Sequence, residues 1–253
     1  MSNINTIYTI WLRDIKHFLR SKSRIIGSIG MPLFFILILG LGFNSIIQLP
    51  GMEEDYTQFL IPGMIAMSVL FTSMFAGIQI IWDKQFGFLK ETLVAPVTRF
   101  GIMLGQTLGG ATTAFIQGTI ILILALIFGI LHVSSFGSFL IAFGFMLLIG
   151  IFFTATGVAI ASRMDDMHGF QLIMNFVIFP IVGLSGAFFP ITVLPSWIKP
   201  ITYINPLSYG VEGIRYGLTG ASLINPLICF IVLGSFAIFM VLLGGHLFKN
   251  IKV

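Results

Sequence analysis

FGSFLIAFGFMLLIGIFFTATGVAIA, residues 136–161, runs for 26 positions without one ionisable side chain. At 1.5 Å of rise per residue, a helix of that length covers about 39 Å, more than the roughly 30 Å of hydrocarbon in a bilayer. A helix at a protein–water boundary shows a polar face. This one shows none, so it reads as a membrane span. Five further segments share its character: 25–47, 59–82, 102–131, 170–189 and 224–248. The glycines and prolines within them are no obstacle, because lipid offers the backbone no better hydrogen-bond partner than the helix itself. The expected fold is an all-α integral membrane protein with six transmembrane helices, residues 1–253 forming one transmembrane domain.

Composition agrees. The chain is 57% hydrophobic and 9% charged, against about 45–50% apolar and about 25% charged in a soluble domain. Mean hydropathy is +1.05. A net charge of +4 would point to nucleic acid or acidic lipid in a soluble protein; here it reads as topology information, with membrane lipid as partner and no nucleic acid. Cys229 is the only cysteine, so neither an intrachain disulfide nor a cysteine-based metal cluster can form.

Lys and Arg are retained on the cytoplasmic side of short loops. Arg13, Lys16, Arg20, Lys22 and Arg24 precede the first span, Lys84, Lys90 and Arg99 follow the second, Arg163 follows the fourth, and Lys249 and Lys252 come last. Only Lys199 and Arg215 fall on the other side, where the first loop carries Glu53, Glu54 and Asp55. Both termini are therefore expected in the cytoplasm of a cell, and the first span is too long and too far from the N-terminus for a cleaved signal. Within residues 1–24, Ile4, Ile7, Tyr8, Trp11, Ile15, Phe18 and Leu19 recur at helical spacing among basic residues. That pattern predicts an amphipathic helix lying in the membrane interface.

Two connections are longer than a turn requires. Residues 83–101 alternate charged and apolar side chains at helical intervals, with Pro96 as a stop, and predict a short cytoplasmic helix along the membrane surface. Residues 190–223 are largely apolar but divided by Pro190, Pro195, Pro200 and Pro206, which predicts short helices dipping back into the outer half of the membrane. Asn205-Pro206 and Asn225-Pro226 read as N-cap and first-turn pairs.

Several chemistries find no footing. The spans carry essentially no charge, which argues against proton- or sodium-coupled transport. No Gly-x-x-x-x-Gly-Lys-Ser/Thr loop and no His-Glu-x-x-His spacing occur, so neither a nucleotide nor a metal site is expected on this chain. Gly183-Leu184-Ser185-Gly186 resembles the nucleophile motif of intramembrane serine proteases, with His246 as the nominal base. The two lie at opposite ends of their spans, about 25 Å apart by helical rise, where a base must be within about 3 Å.

Asp83-Lys84-Gln85-Phe86-Gly87-Phe88-Leu89-Lys90-Glu91-Thr92-Leu93-Val94-Ala95-Pro96-Val97-Thr98-Arg99 resembles the cytoplasmic coupling segment of ATP-binding-cassette type-2 permeases, the family of daunorubicin-type exporters. Gly87, Leu89, Glu91, Leu93, Pro96 and Arg99 match its pattern, while Gln85 stands where the family often has an acidic residue. Phe189-Pro190, Leu194-Pro195, Trp197, Pro200, Asn205-Pro206-Leu207, Tyr209, Glu212 and Arg215 are similar to the family's outer segment before the last span. The resemblance implies a dimer of permeases in a prokaryotic plasma membrane, each docked on a separate ABC ATPase that binds ATP and Mg, with no cofactor held by this chain.

Phe86, Phe88, Leu89 and Leu93 are then candidate anchors in a groove of the ATPase, with Lys84, Lys90, Glu91 and Arg99 setting register at its rim. The alternative is an interfacial helix held by lipid alone. Phe188, Phe189 and Trp197 are outer-gate candidates, or interfacial anchors. Glu212 and Arg215, three apart on a helix, are expected to form a structural pair. An exporter of a drug-like or lipid-like amphiphile is the leading functional expectation. A passive channel or an assembly protein without an ATPase is the alternative.

Overall fold

The computed structural model describes residues 3–42, 56–131, 136–249 and 251. Among them the regular structure is helical throughout: α1 Asn3–Arg20, α2 Lys22–Phe35 continued by a wider π turn Ile36–Leu41, α3 Tyr56–Ala76, α4 Ile78–Gln85, α5 Phe88–Val94, α6 Arg99–Ile127, α7 Phe136–Ala161, α8 Met167–Gly183, α9 Lys199–Ile204, α10 Pro206–Thr219 and α11 Pro226–Lys249. Four stretches among the described residues are long and apolar enough to cross a membrane: Tyr56–Gln85, Arg99–Ile127, Gly137–Ala161 and Pro226–Lys249. The expected end of the first span and the acidic run Glu53, Glu54 and Asp55 lie outside the described residues.

At the centre stands α3, most of its residues buried, packed on α6, α7 and α10. Close approach there depends on glycine. A Cβ on Gly77 would lie 2.4 Å from the Gly157 carbonyl oxygen, and one on Gly157 would lie 2.4 Å from that of Met74. In lipid the hydrophobic effect does not hold helices together, so contacts this tight carry the association. Outside α7 lies α11, and α10 fills the angle between α3, α7 and α11. By contrast α8 is lightly held: it buries only Phe170, Met174, Ile178 and Val182, one residue per turn.

Helix boundaries follow from local chemistry. Thr98 caps α6 by accepting from Gly101 N at 3.1 Å, and Asp166 caps α8 by accepting from His168 N and Gly169 N. Asn205 accepts from Leu207 N at 3.0 Å with Pro206 in the first turn of α10, and Asn225 accepts from Leu227 N at 2.9 Å at the start of α11. Both Asn-Pro pairs are therefore helix starts, as their sequence predicts.

Two boundaries differ from expectation. The fifth apolar segment leaves the helix at Gly183 instead of reaching residue 189, because Gly186 takes a left-handed φ of 76° and turns the chain. Residues 83–101 do not make one surface helix. Asp83, Lys84 and Gln85 finish α4, Gly87 turns the corner at φ 81°, α5 covers only seven residues, and α6 starts at Arg99.

The N-terminal helix also departs from a simple interfacial anchor. It packs along α6, burying Thr6, Ile10 and Phe18. Gly105 and Gly109 make room: a Cβ on the first would meet Ile10 at 2.9 Å, and one on the second would meet Asp14 Oδ2 at 2.7 Å. Trp11 Nε1 donates to Thr112 Oγ1 at 3.0 Å across the same contact. Ile4, Tyr8 and Leu19 stay exposed.

Candidate functional site

Arg13, Lys84 and Arg99 are each bound at the end of the bundle where α4 finishes, and the organising residue there is Asp83, 5% exposed. Its carboxylate accepts from Arg13 Nη2 at 3.0 Å, from Gln79 Nε2 at 3.0 Å and from Gln106 Nε2 at 3.4 Å. Three helices, α1, α4 and α6, thus meet on one carboxylate. Arg13 Nε also reaches Asp14 Oδ1 at 3.2 Å. Burial works against the Arg13 charge, but the carboxylates of Asp14 and Asp83 outweigh it and raise its pKa above the ordinary arginine value. None of these four partners was singled out as a site from the sequence. The available signal was Gly101-x-x-x-Gly105-x-x-x-Gly109 on α6, a spacing that invites a second helix.

Two charges expected at a partner's rim are bound to carbonyls of this chain, Lys84 largely covered and Arg99 exposed. Lys84 Nζ donates to the carbonyls of Ser162 at 3.1 Å and Met164 at 3.0 Å and pairs with Asp165 Oδ1 at 3.0 Å. Gln85 Nε2 adds a bond to the Asp165 carbonyl at 2.9 Å. Lys84 thereby neutralises the carbonyl end of α7, where a cation is favourable. Arg99 does the same for α11: Nη1 donates to the Lys249 carbonyl and, at 3.4 Å, to that of Ile251. Leu89, expected as an anchor in a partner's groove, is 1% exposed and packed on its own chain, and Leu93 is half-buried.

What remains outward on the α4–α5 corner is apolar with a polar fringe. Phe86 is 66% exposed, Phe88 56% and Val94 86%, while Lys90, Glu91 and Pro96 are also exposed. Between α5 and α1 runs a groove of about 510 Å³, lined by Asn5, Tyr8, Arg13, Thr92 and Val97 among others.

At the opposite end, α10 carries a buried ion pair. Arg215 Nη1 pairs with Glu212 Oε1, Nη2 donates to the Gly186 carbonyl at 2.9 Å, and the guanidinium stacks 4.1 Å from the Phe59 ring centroid. The second Glu212 oxygen accepts from Leu223 N at 2.6 Å. This pair fastens α10 to the turn after α8 and to the chain entering α11. Ser185 is buried there, donating to the Val182 carbonyl at 2.7 Å and accepting from Ala187 N. His246 is exposed on the last turn of α11, at the basic end. Ser185 and His246 form no dyad.

Between α2, α3 and α8 lies a cleft of about 440 Å³, walled by Phe35, Phe71, Phe75, Phe179 and Phe188 and floored by Phe18. Phe188 closes it at the far end, 5.7 Å ring to ring from Phe35, with its carbonyl held by Tyr56 Oη at 3.2 Å. The other two outer-gate candidates, Phe189 and Trp197, are exposed and line no part of it. Among the described residues no three His, Cys, Asp or Glu side chains come together as a metal site.

Comparison with known proteins gives this geometry a context. Residues 5–219 match the family described as ABC-2 type transporter. The chain is 29% identical over 243 residues to the inner membrane transport permease YadH of Escherichia coli (strain K12), covering 92% of this chain and 89% of that one. It is 28% identical over 204 residues to the putative transport permease ycf38 of Cyanophora paradoxa, covering 79% of this chain and 70% of the relative. Nodulation protein J of Rhizobium leguminosarum bv. viciae is 26% identical over 249 residues, covering 95% and 94%.

Proposed function

Because the chain belongs to the ABC-2 type transporter family and is a multi-pass membrane permease, we propose that it is the membrane half of an ATP-driven exporter, working as a homodimer on two ATPase subunits. ATP and Mg belong to those partners. The observation that carries the reading is the contrast at the α4–α5 corner: Lys84 and Leu89 are engaged within the chain and Arg99 is tied to its own carbonyls, while Phe86, Phe88 and Val94 stand out from it. An exposed aromatic pair rimmed by Lys90 and Glu91 suits a groove on another protein. The residues bound within the chain give that corner a rigid mount, so force applied to α5 reaches α4, α7 and, through Asp83, α1.

Orientation follows the positive-inside bias, with the basic end and both termini in the cytoplasm of a prokaryotic cell. Six crossings result if Lys22–Leu41 and Met167–Gly183 join the four long spans. Their 20 and 17 residues rise about 30 Å and about 26 Å, enough for the hydrocarbon with modest thinning or flanking turns. In this arrangement α9 and α10 are re-entrant from the outer side, and lipid surrounds the exposed apolar faces. The cleft between α2, α3 and α8 is half of the pathway, completed by the second copy, and its apolar walls suit an amphiphilic cargo.

The test is co-purification in mild detergent with the ATPase encoded by the same host. Phe86→Ala with Phe88→Ala is expected to abolish capture and leave the permease folded and inserted. Transport that persists without any ATPase partner would overturn the proposal in favour of a passive channel.

A further inference from the structure

The flank of α8 beside the cleft is not uniformly apolar. At 100° per residue, His168, Gln171, Asn175, Phe179 and Val182 fall in one strip about 80° wide, and Asn175 lies between the azimuths of Phe179 and Val182, both of which line the cleft. From the basic end, the strip reads three polar residues and then two apolar ones. Gln171 and Asn175, just beyond the stretch of α8 that lines the cleft, are exposed and make no side-chain hydrogen bond to a described residue. On the facing wall, the Ser68 hydroxyl of α3 lines the same cleft, 3% exposed and without a partner. Carboxamides left to lipid are costly, as is a buried orphan hydroxyl. No Asp, Glu, Lys or Arg occurs in α8 or among the described residues that line the cleft.

We propose that Gln171 and Asn175, with the Ser68 hydroxyl, bind the uncharged, hydroxyl- or amide-rich polar part of an amphiphile whose tail lies among the phenylalanines of the cleft. Carboxamides offer donor and acceptor together, which matches neutral polyols and amides and gives no advantage to an ammonium or a phosphate. The polar strip begins at the basic end and rises about 10 Å, from residue 168 to residue 175. It therefore sits where a lipid-like molecule of the cytoplasmic leaflet would present its head. The inference rests on the cleft being the pathway, as proposed above, and adds the head-group class.

The test uses the full chain in lipid discs cut directly from membranes with a styrene–maleic acid copolymer, which avoids glycoside detergents. Three diazirine-tagged dodecyl probes differ only in head: maltoside, phosphocholine and trimethylammonium. The expected result is that the maltoside probe crosslinks α8 and α3 peptides at the lowest concentration. Gln171→Leu with Asn175→Leu raises its half-saturation about tenfold and leaves the other two unchanged, while Asn175→Gln alone retains most of the preference. Phe179→Ala, acting on the tail, weakens all three alike. Equal half-saturation for the three heads would overturn the proposal, as would a double variant that labels like the parent. So would a double variant that turns a dimer into a monomer, since the carboxamides would then belong to the interface between copies. Labelling is read without an ATPase, so a failed co-purification sinks the exporter reading and leaves this one standing.

Discussion

Replacing Asp83 with alanine should loosen the basic end as a unit. The carboxylate receives two full hydrogen bonds at 3.0 Å and one marginal bond at 3.4 Å. The bond from Arg13 is charge-assisted, but that guanidinium is 41% exposed and keeps Asp14, so its share is discounted to about 1 kcal/mol. The Gln79 bond to an ionised acceptor adds about 1.5 kcal/mol. Gln106 is 4% exposed and would lose its acceptor, costing about 1 kcal/mol more. The sum is roughly 3–4 kcal/mol. Asp83→Asn keeps an acceptor and should cost on the order of 1 kcal/mol. Thermal unfolding in lipid discs, followed by tryptophan fluorescence, is a direct assay because Trp11 and Trp82 flank the node. A double-mutant cycle with Arg13→Ala should return a coupling near 1 kcal/mol. An alanine variant as stable as the parent, or strict additivity with Arg13→Ala, would refute the reasoning.

Other perturbations follow from the same contacts. Gly157→Ala puts a methyl 2.4 Å from the Met74 carbonyl oxygen, so α3 and α7 must part, at about 1–3 kcal/mol; combining it with Gly77→Ala should cost less than the sum, which paired unfolding curves would show. Glu212→Ala removes the carboxylate paired with the buried Arg215 guanidinium and should cost about 3–5 kcal/mol, while adding Arg215→Met should recover most of that in the same assay. The Asp166 carboxyl is held below its ordinary value by the backbone N–H groups of Gly169 and His168. Its contribution is present above the unfolded carboxylate value and lost as pH falls through the lower folded one. Protection of the amides at the start of α8, taken relative to their intrinsic exchange at each pH, should therefore fall on acidification through that window, and Asp166→Asn should remove this fall.

The long elements were readable because their cause is local. Residues 136–161 form α7 from end to end, and the Asn-Pro pairs start helices, since both depend on neighbours in the chain. The intrachain bonds of Lys84 and Arg99 were not legible for the opposite reason. A cation at a membrane edge suggests a solvated rim, and nothing near residues 84 or 99 announces that the open carbonyl ends of α7 and α11 arrive beside them. Leu89 followed the same course, an apolar residue in an exposed-looking pattern that its own chain covers. The packing of α1 on α6 lay within reach, because glycines four apart are a contact signal whose partner could have been sought.

The sparse attachment of α8 bears on how such a protein diversifies. Its grip on the bundle rests on Phe170, Met174, Ile178 and Val182, whereas Gln171, Asn175 and Phe179 are exposed and the side chains of the first two bond to no described residue. Positions that contribute little to folding can change without threatening it. The flank of α8 beside the cleft can therefore drift through many side chains while the glycine-tight centre stays fixed. Randomising residues 171, 175 and 179 together should yield mostly well-folded variants, a library in which selectivity is sampled with little loss of stability.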